Sequence, residues 1–254
     1  MIDLHTHTTA SDGRHTPPEL VRRAAAAGVT ILGVTDHDTA AAADEASARV
    51  HVLGYFIDLA SSPLHAFLAA QRQLRVDRVR EIVEKLDHLG MHLDADAPVQ
   101  PAIDDTSKSA GRPWIARALV AAGYVASVDL AFQKWLSRGR PAFVPRLAAS
   151  PEEIVGRIHD AGGVASLAHP GLLRHDEWIP ALVNAGLDAI EAYHTEHDAG
   201  TSARYVELAR RYGALVSGGS DYHGDDAHGA IGPGEVSLSR EAYDDLQRGA
   251  RRDR

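Results

Sequence analysis

The stretch Ile2-Asp3-Leu4-His5-Thr6-His7 opens the chain with a short apolar run that ends in two alternating histidines. Side chains two positions apart on a strand point to the same face, so an extended backbone lets His5 and His7 face one point together. The segment Gly218-Gly219-Ser220-Asp221-Tyr222-His223 repeats this arrangement near the other end, with Asp221 and His223. Each segment therefore predicts one half of a polar site at the end of a strand.

Between these two segments, apolar runs alternate with amphipathic stretches. The six runs cover residues 2–5, 29–35, 50–57, 164–168, 189–193 and 214–217. They are typical of buried parallel strands. Helix starts are marked by Thr16-Pro17-Pro18-Glu19 and Ser150-Pro151-Glu152-Glu153, where a hydroxyl can cap and a proline fits the first turn. The pattern predicts an α/β fold, either a barrel or an open sheet.

Residues 63–145 break this alternation. Residues 64–89 predict one long helix, and residues 113–122 and 128–136 predict two shorter ones. We therefore expect two parts in the chain. Residues 1–62 and 146–254 would form the catalytic barrel, and residues 63–145 would form a helical insertion domain.

The composition excludes several classes of protein. The chain has 254 residues with 15 histidines and no cysteine, so disulfides, zinc ribbons and thiol catalysis are excluded. A formal charge of −9 argues against broad binding to duplex DNA. We find neither a charged-then-apolar leader nor a run of about 18 apolar residues, so we expect no membrane span and a cytoplasmic enzyme.

Most candidate ligands directly follow an apolar run, and α/β folds place their chemistry at such strand ends. These residues are His5, His7, His37, His169, Asp221 and His223. Only His51 departs, because it lies near the start of its run. Neutral imidazole and carboxylate are good ligands for zinc, manganese or iron. One His-x-His pair is weak evidence for a metal site. Candidate ligands at several strand ends together predict a site in which histidines and carboxylates surround the metal.

Four motifs in this order resemble those of the polymerase and histidinol phosphatase (PHP) superfamily. They are residues 3–13, 35–39, 167–170 and 219–224. Residues 51–55, 111–117 and 138–141 narrow the resemblance to the branch that removes phosphate from nucleoside 3′,5′-bisphosphates and trims RNA from its 5′ end. The resemblance implies a distorted (β/α)7-type barrel and hydrolysis of phosphomonoesters by a metal-bound hydroxide.

The resemblance also assigns metal ligands and catalytic residues. It implies two or three divalent ions, Mn²⁺, Zn²⁺ or Fe²⁺. The first would be held by His5, His7 and Asp221, the second by Asp12, His37 and His223, and a further one by His51 and His169. Of these, His37, His169 and Asp221 would be catalytic. Without the resemblance, Ser11-Asp12-Gly13 is typical of an ordinary turn.

Three arginines match the family's substrate-binding positions: Arg75, Arg78 and Arg112. A guanidinium group is a planar fork that binds phosphate at two points, although a solvated helix face is the plain alternative for an arginine. His194 ends the fifth apolar run, and it is predicted either to line the pocket or to lie on the surface.

One part of the family pattern is missing between His37 and His51. The family places there a helix, a strand that ends in a metal-bridging glutamate, and a hairpin, but only 14 positions separate these two histidines. A crossover helix with its loops already needs about 10 to 12 residues. Glu45 is either a remnant of the glutamate segment or a solvated helix residue. Without a bridging carboxylate, we expect activity to be weak or lost.

We therefore expect a metal-dependent phosphoric monoester hydrolase that acts on a small phosphorylated substrate, a nucleotide, and also on short RNA 5′ ends. One alternative is a histidinol-phosphate-type or other small-molecule phosphatase. An alternative of another class is a catalytically impaired domain that binds nucleotide or metal without turnover. Amidohydrolases also use histidine-rich barrels, but no lysine in this chain ends a core strand to supply their usual carboxylated lysine.

Overall fold

The structure is a computed structural model, and it describes residues 1–11, 13–36, 50–94, 96–104, 110–145, 149–224 and 232–250. Six strands lie within these ranges. They are β1 (Ile2–Asp3), β2 (Ile31–Leu32), β3 (Val52–Tyr55), β4 (Val164–Leu167), β5 (Ala189–Tyr193) and β6 (Leu215–Gly218). Strand β1 pairs with β2, and the other four form a sheet in the order β3-β4-β5-β6. With helices between the strands, the α/β class is confirmed.

Backbone hydrogen bonds join the two sheets through the first segment of the chain. The Leu4 N–H donates to the Gly218 carbonyl at 3.3 Å, and the Asp221 N–H donates to the His5 carbonyl at 2.8 Å. Thr6 and Tyr222 form an isolated parallel bridge just beyond. The segment that carries His5 therefore lies beside the segment that carries Asp221, although they are more than 200 residues apart in sequence.

Strand β3 differs from the expectation of uniformly parallel strands. It pairs with β4 in the antiparallel direction, with Val52 opposite Leu167 and Tyr55 opposite Val164. The other described pairs, β1 with β2, β4 with β5 and β5 with β6, are parallel. The start of β3 therefore lies at the same edge of the sheet as the carboxyl ends of β4, β5 and β6.

The helices outside residues 63–145 lie between the strands in sequence or follow the last strand. They are α1 (Pro17–Ala26), α6 (Pro151–Asp160), α7 (Pro170–Leu173), a 3₁₀ turn (Asp176–Trp178), α8 (Ile179–Asn184), α9 (Ala199–Tyr212) and α10 (Arg240–Ala250). The predicted start of α6 is confirmed, because the Ser150 hydroxyl accepts the Glu153 N–H at 3.2 Å. Leu167 and Ile190 of the sheet pack against Ile154 and Ile158 of α6 in the same buried cluster.

The segment between β3 and α6 is helical, as expected. It contains α2 (Ser62–His88), α3 (Gln100–Asp104), α4 (Arg112–Ala121), α5 (Val128–Ala131) and a π-helix (Phe132–Leu136). Ile82, Ile115 and Leu136 are fully buried in an apolar cluster that these helices share among themselves. The boundaries of an insertion domain at residues 63 and 145 stay a prediction. No helix among the described residues is long and apolar enough to cross a membrane, and the cytoplasmic location also stays a prediction.

Candidate metal centre

Asp221 lies at the centre of a cluster of histidines, at the edge of the sheet where the parallel strands end. Its Oδ1 lies 3.1 Å from His5 Nε2 and 3.1 Å from His7 Nε2. Its Oδ2 lies 3.2 Å from His194 Nε2. The ring of His223 stacks on that of His7 with 4.1 Å between their centroids, and its Nδ1 lies 3.6 Å from Asp221 Oδ1. Four imidazoles therefore surround one carboxylate.

The spacing of these atoms fits a divalent ion. The ligand atoms of His5, His7 and Asp221 lie within 4.8 Å of one another, and so do those of His5, Glu191 and His194. Two donors that each bind a tetrahedral ion at about 2.0–2.1 Å lie roughly 3.3 Å apart. The distances of 3.1 Å from Asp221 to His5 and to His7 are close to that value. The residues present therefore fit a metal with imidazole and carboxylate ligands.

A second pair of imidazoles lies beside this cluster. His51 Nδ1 and His169 Nε2 face each other at 3.2 Å. His169 directly follows the run that ends in β4, and its ring stacks on that of His5 at a centroid distance of 5.9 Å. The Ala168 N–H donates to the His51 carbonyl at 2.9 Å, which fixes the two histidines side by side. This pair can hold an ion adjacent to the one at Asp221.

Glu191 lies behind the cluster, on β5, and is fully buried. Its Oε1 lies 2.9 Å from His5 Nδ1, and its Oε2 accepts the backbone N–H of His169 at 2.7 Å. Burial alone would raise the pKa of Glu191, but the charge and hydrogen bond of His5 lower that pKa below its ordinary value. Glu191 is therefore a buried anion that connects one histidine of each group.

Two of the candidate ligands have a strained backbone. His169 has φ +28° and Asp221 has φ +54°, a region that residues other than glycine rarely adopt. Two side chains fix the turn at His169. Glu191 accepts the backbone N–H of His169, and His197 Nε2 accepts the N–H of Gly171 at 3.1 Å. Such strain persists only where the surroundings fix it, and it is concentrated at functional sites.

The residues of the cluster differ in the direction of their pKa shifts. Burial favours the neutral form of His5, but the charges of Glu191, Asp221 and Asp3, together with the hydrogen bond to Glu191, outweigh this effect and raise the pKa of His5 to about 9. Burial lowers the pKa of His169 to about 4 and also lowers that of His7. Burial would raise the pKa of Asp221, whereas the hydrogen bonds from His194 and His7 lower it well below its usual range. Asp221 is therefore ionised and His169 neutral at pH 7.

Asp3 supports the cluster from within the first strand. This fully buried carboxylate accepts the Ser220 N–H at 2.9 Å, the Ser220 hydroxyl at 2.6 Å and the Gly234 N–H at 2.8 Å. These bonds join the segment before His5 to the turn before Asp221. Gly219 makes this contact possible, because a Cβ there would lie 2.3 Å from the backbone nitrogen of His5.

Comparisons with known proteins identify the family of this chain. A family model for the PHP domain matches residues 3–105. The chain is 33% identical over 254 residues to the 5′-3′ exoribonuclease Rnm of Salmonella typhimurium, with 88% of this chain and 85% of that relative covered. It is 34% identical over 251 residues to the 3′,5′-nucleoside bisphosphate phosphatase of Chromobacterium violaceum, with 87% of each protein covered.

The chain belongs to the PHP family. A crystal structure from Bifidobacterium adolescentis, provisionally assigned as a metal-dependent phosphoesterase, shares the fold with a TM-score of 0.76. It is 28% identical, and the match covers 97% of this chain and 95% of that one. The predictions of a PHP-type α/β fold and of a hydrolase of the phosphoesterase class are confirmed.

The structure brings together most of the residues that the sequence predicted as metal ligands. His5, His7 and Asp221 meet at one point, His223 borders it, and His51 and His169 form the adjoining pair. The roles of all these residues as metal ligands stay predictions. Three other residues lie outside the described residues: Asp12, His37 and Glu45.

Asp36, which precedes His37, is described, and it has a structural role. Its carboxylate accepts the Thr8 N–H at 2.6 Å, the Thr8 hydroxyl at 2.7 Å and the Ser11 hydroxyl at 2.8 Å. The loop after His7 is thereby attached to the segment that follows β2. This contact brings the chain just before His37 close to the turn after His7.

The three predicted substrate arginines lie on α2 and α4. Arg78 Nε donates to the Val144 carbonyl at 2.9 Å, and Arg112 Nη1 donates to the Leu136 carbonyl at 3.1 Å. The Arg112 guanidinium also lies over the rings of Phe132 and Phe143. Burial and the charges of Arg112 and Arg75 lower the pKa of Arg78 to about 10. The three guanidinium groups therefore form a partly buried group of like charges.

The sequence did not single out Glu191 as part of the site. A signal was present, because a carboxylate inside the buried run 189–193 is costly unless it is paired. His194 was predicted to lie either in the pocket or on the surface, and the structure buries it against Asp221. The same signal applies to Asp3, which stands between Ile2 and Leu4 in the first apolar run.

Proposed function

We propose that this chain is a metal-dependent phosphomonoesterase that removes a phosphate from nucleoside 3′,5′-bisphosphates to leave the 5′-monophosphate. The observation that carries the proposal is the convergence of His5, His7 and His194 on Asp221, with the His51–His169 pair beside it. Histidines and carboxylates gathered in this way at strand ends are typical of a divalent metal site. The named activities of the two relatives support the substrate class.

We assign His5, His7 and Asp221 to one ion, and His51 and His169 to a further one. Asp12, His37 and His223 would hold another, as the sequence predicts. When bound, such ions activate water and neutralise charge on the phosphoryl group. Mn²⁺, Zn²⁺ and Fe²⁺ all suit this mixture of imidazole and carboxylate.

The chain's own residues prepare the site for divalent cations. Asp221 stays ionised because His7 and His194 donate to it, and His169 stays neutral because burial opposes its protonation. Both groups therefore present lone pairs at neutral pH. Of the residues described, we propose Asp221 and His169 as catalytic, and His37 joins them as the sequence predicts.

The arginine group supplies the second half of substrate recognition. Arg75, Arg78 and Arg112 lie close enough that their like charges lower the pKa of Arg78. A phosphate would relieve this repulsion, and guanidinium groups bind phosphate in two places at once. A 3′,5′-bisphosphate carries one phosphate for the metal site and one for the arginines. The first nucleotide of a 5′-phosphorylated RNA carries a 5′-phosphate and, on its 3′ oxygen, the phosphodiester to the next nucleotide, so a short RNA 5′ end is the second substrate that we propose.

The decisive experiment compares two substrates before and after metal removal. The purified chain is treated with a chelator, dialysed, and assayed for phosphate release with and without added Mn²⁺. We expect activity on adenosine 3′,5′-bisphosphate to be lost with the metal and restored by Mn²⁺, and to exceed activity on histidinol phosphate. A preference for histidinol phosphate would favour the alternative phosphatase. Nucleotide binding without turnover at any metal concentration would favour the impaired domain, and full activity in the stripped protein would refute the proposal.

A further inference from the structure

Glu191 is the buried carboxylate that the metal site leaves unexplained. It lies with His5 and His194 in a group whose ligand atoms are within 4.8 Å of one another, so it is placed to be a metal ligand itself. Yet both of its oxygens already have partners. Oε1 lies 2.9 Å from His5 Nδ1, and Oε2 accepts the His169 N–H at 2.7 Å. These contacts point to a different role.

We propose that Glu191 is a positioning residue that fixes the tautomer and ring orientation of His5, an inference that rests on the proposed metal site. A carboxylate accepts hydrogen bonds, so its contact with His5 requires a proton on Nδ1. In the neutral ring, the lone pair is then on Nε2, the atom that faces Asp221 at 3.1 Å. A histidine that ligates a metal commonly donates its other N–H to a carboxylate in this way.

The second oxygen of Glu191 extends this control to His169. The backbone N–H of His169 can only donate, and it belongs to a residue with the strained φ of +28°. One carboxylate thus sets the ring of His5 and the turn of His169, which the proposed function places on two different ions. Because Glu191 has 0% exposure, water cannot replace either bond.

Glutamine at position 191 would have nearly the same shape but a different hydrogen-bond pattern. Its amide oxygen must accept from His169, because a backbone N–H opposite an NH₂ group would leave two donors facing each other. The NH₂ group would then face His5 Nδ1 and require a lone pair there. The proton would move to Nε2, which could no longer bind a metal. An amide that replaces the carboxylate of a catalytic triad has the same effect on its histidine.

The test measures metal binding rather than catalysis. The full chain, its Glu191→Gln variant and the control Glu84→Gln are stripped of metal, and the Zn²⁺ dissociation constants are measured by competition with a chelator. Glu84 is exposed on α2, so the control makes the same chemical change away from the cluster. We expect Glu191→Gln to weaken Zn²⁺ binding about 10- to 100-fold, and the control to match the wild type. A variant that binds Zn²⁺ within twofold of the wild type would overturn the proposal.

A second measurement on the unmodified chain does not depend on the variant folding. Nitrogen-15 NMR of the Zn²⁺-loaded protein reports which nitrogen of each imidazole carries a proton. We expect Nδ1 of His5 to be protonated and Nε2 to be bound to zinc. A crystal of the loaded protein with a Glu191 oxygen about 2.0–2.2 Å from an ion would make Glu191 a ligand and refute the positioning role.

The experiments distinguish a failure of the positioning role from a failure of the proposed activity. If the loaded protein hydrolyses neither substrate but shows the His5 tautomer and the weakened variant, the positioning role holds and only the proposed activity fails. If it hydrolyses adenosine 3′,5′-bisphosphate while Glu191→Gln binds Zn²⁺ normally, the proposed activity holds and the positioning role fails.

Discussion

His51 Nδ1 and His169 Nε2 lie 3.2 Å apart, although one residue precedes its strand and the other follows its own. The antiparallel pairing of β3 with β4 explains this geometry, because the start of β3 then lies at the carboxyl edge of β4. Parallel pairing would place His51 at the opposite end of the sheet, far from the other histidines. His51 is the one candidate ligand that does not follow its apolar run, and the antiparallel pairing nevertheless places it beside the other candidate ligands.

Replacement of His51 by alanine should remove one ion and leave the others. The residues around Asp221 do not depend on this ring, so the chain should fold and bind about one metal ion fewer than the wild type. Metal content by mass spectrometry after dialysis checks the count, with His88→Ala, at the exposed end of α2, as the control. An unchanged ion count would show that the pair does not bind metal.

Replacement of Gly219 by alanine should damage both stability and metal binding. The new Cβ would lie 2.3 Å from the backbone nitrogen of His5 and 2.8 Å from its Cα, and backbone atoms cannot move aside without separating the two segments. We expect a loss of about 3 kcal/mol or more in the free energy of unfolding, measured with urea.

Gly156→Ala is the matched control for that substitution. Gly156 is exposed within α6, and a Cβ there meets no atom within 4 Å. Alanine is a better helix former than glycine, so this variant should be more stable by about 0.5–1 kcal/mol. A Gly219→Ala protein as stable as the wild type would contradict the close approach of the two segments.

The stability of the metal-free chain should depend on pH through two histidines. The pKa of His5 is raised to about 9, so its contribution is complete below its ordinary pKa of 6.5 and is lost as the pH rises through about 9. The pKa of His169 is lowered to about 4, so stability also falls as the pH drops from 6.5 towards 4. Urea unfolding of the chelator-treated chain between pH 5 and 9 should therefore show greatest stability near pH 6.5.

In saturating Zn²⁺, the free energy of unfolding should rise between pH 6.5 and 9 instead of falling. A metal must displace the proton from His5, so binding should tighten as the pH rises from 6.5 to 9, and the stability of the loaded chain should rise with it. The same urea series in excess Zn²⁺ checks this expectation. A loaded chain that loses stability over this range as the stripped chain does would show that His5 is not a ligand.

Replacement of Arg112 by lysine should weaken substrate binding more than it slows turnover. Lysine keeps the charge but lacks the planar fork that binds phosphate at two points. We expect KM for adenosine 3′,5′-bisphosphate to rise about tenfold, with a smaller change in kcat. The control is Arg117→Lys, one of the exposed positions on the same helix. Equal kinetics for the two variants would leave Arg112 with only its structural contacts to Leu136 and the two phenylalanine rings.

Local sequence was sufficient for many of the elements and for the shared face of His5 and His7. In an extended segment such as Ile2–His7, side chains two positions apart point to the same face. The sequence therefore already placed His5 and His7 on one face. The 189–193 run and the long helix after Ser61 were likewise predicted close to their observed bounds, since apolar periodicity and helix-start signals are local.

The tertiary structure decided which residues complete the cluster. The direction of β3 placed His51 opposite His169, and the order of β5 beside β4 and β6 brought Glu191 and His194 between them. Asp3 reaches Gly234 across 231 positions of sequence. Strand direction and order depend on how whole elements pack, and a buried carboxylate finds its partners only through that packing. The sequence by itself thus determined the donor types and their strand ends, and the fold decided which donors face one another.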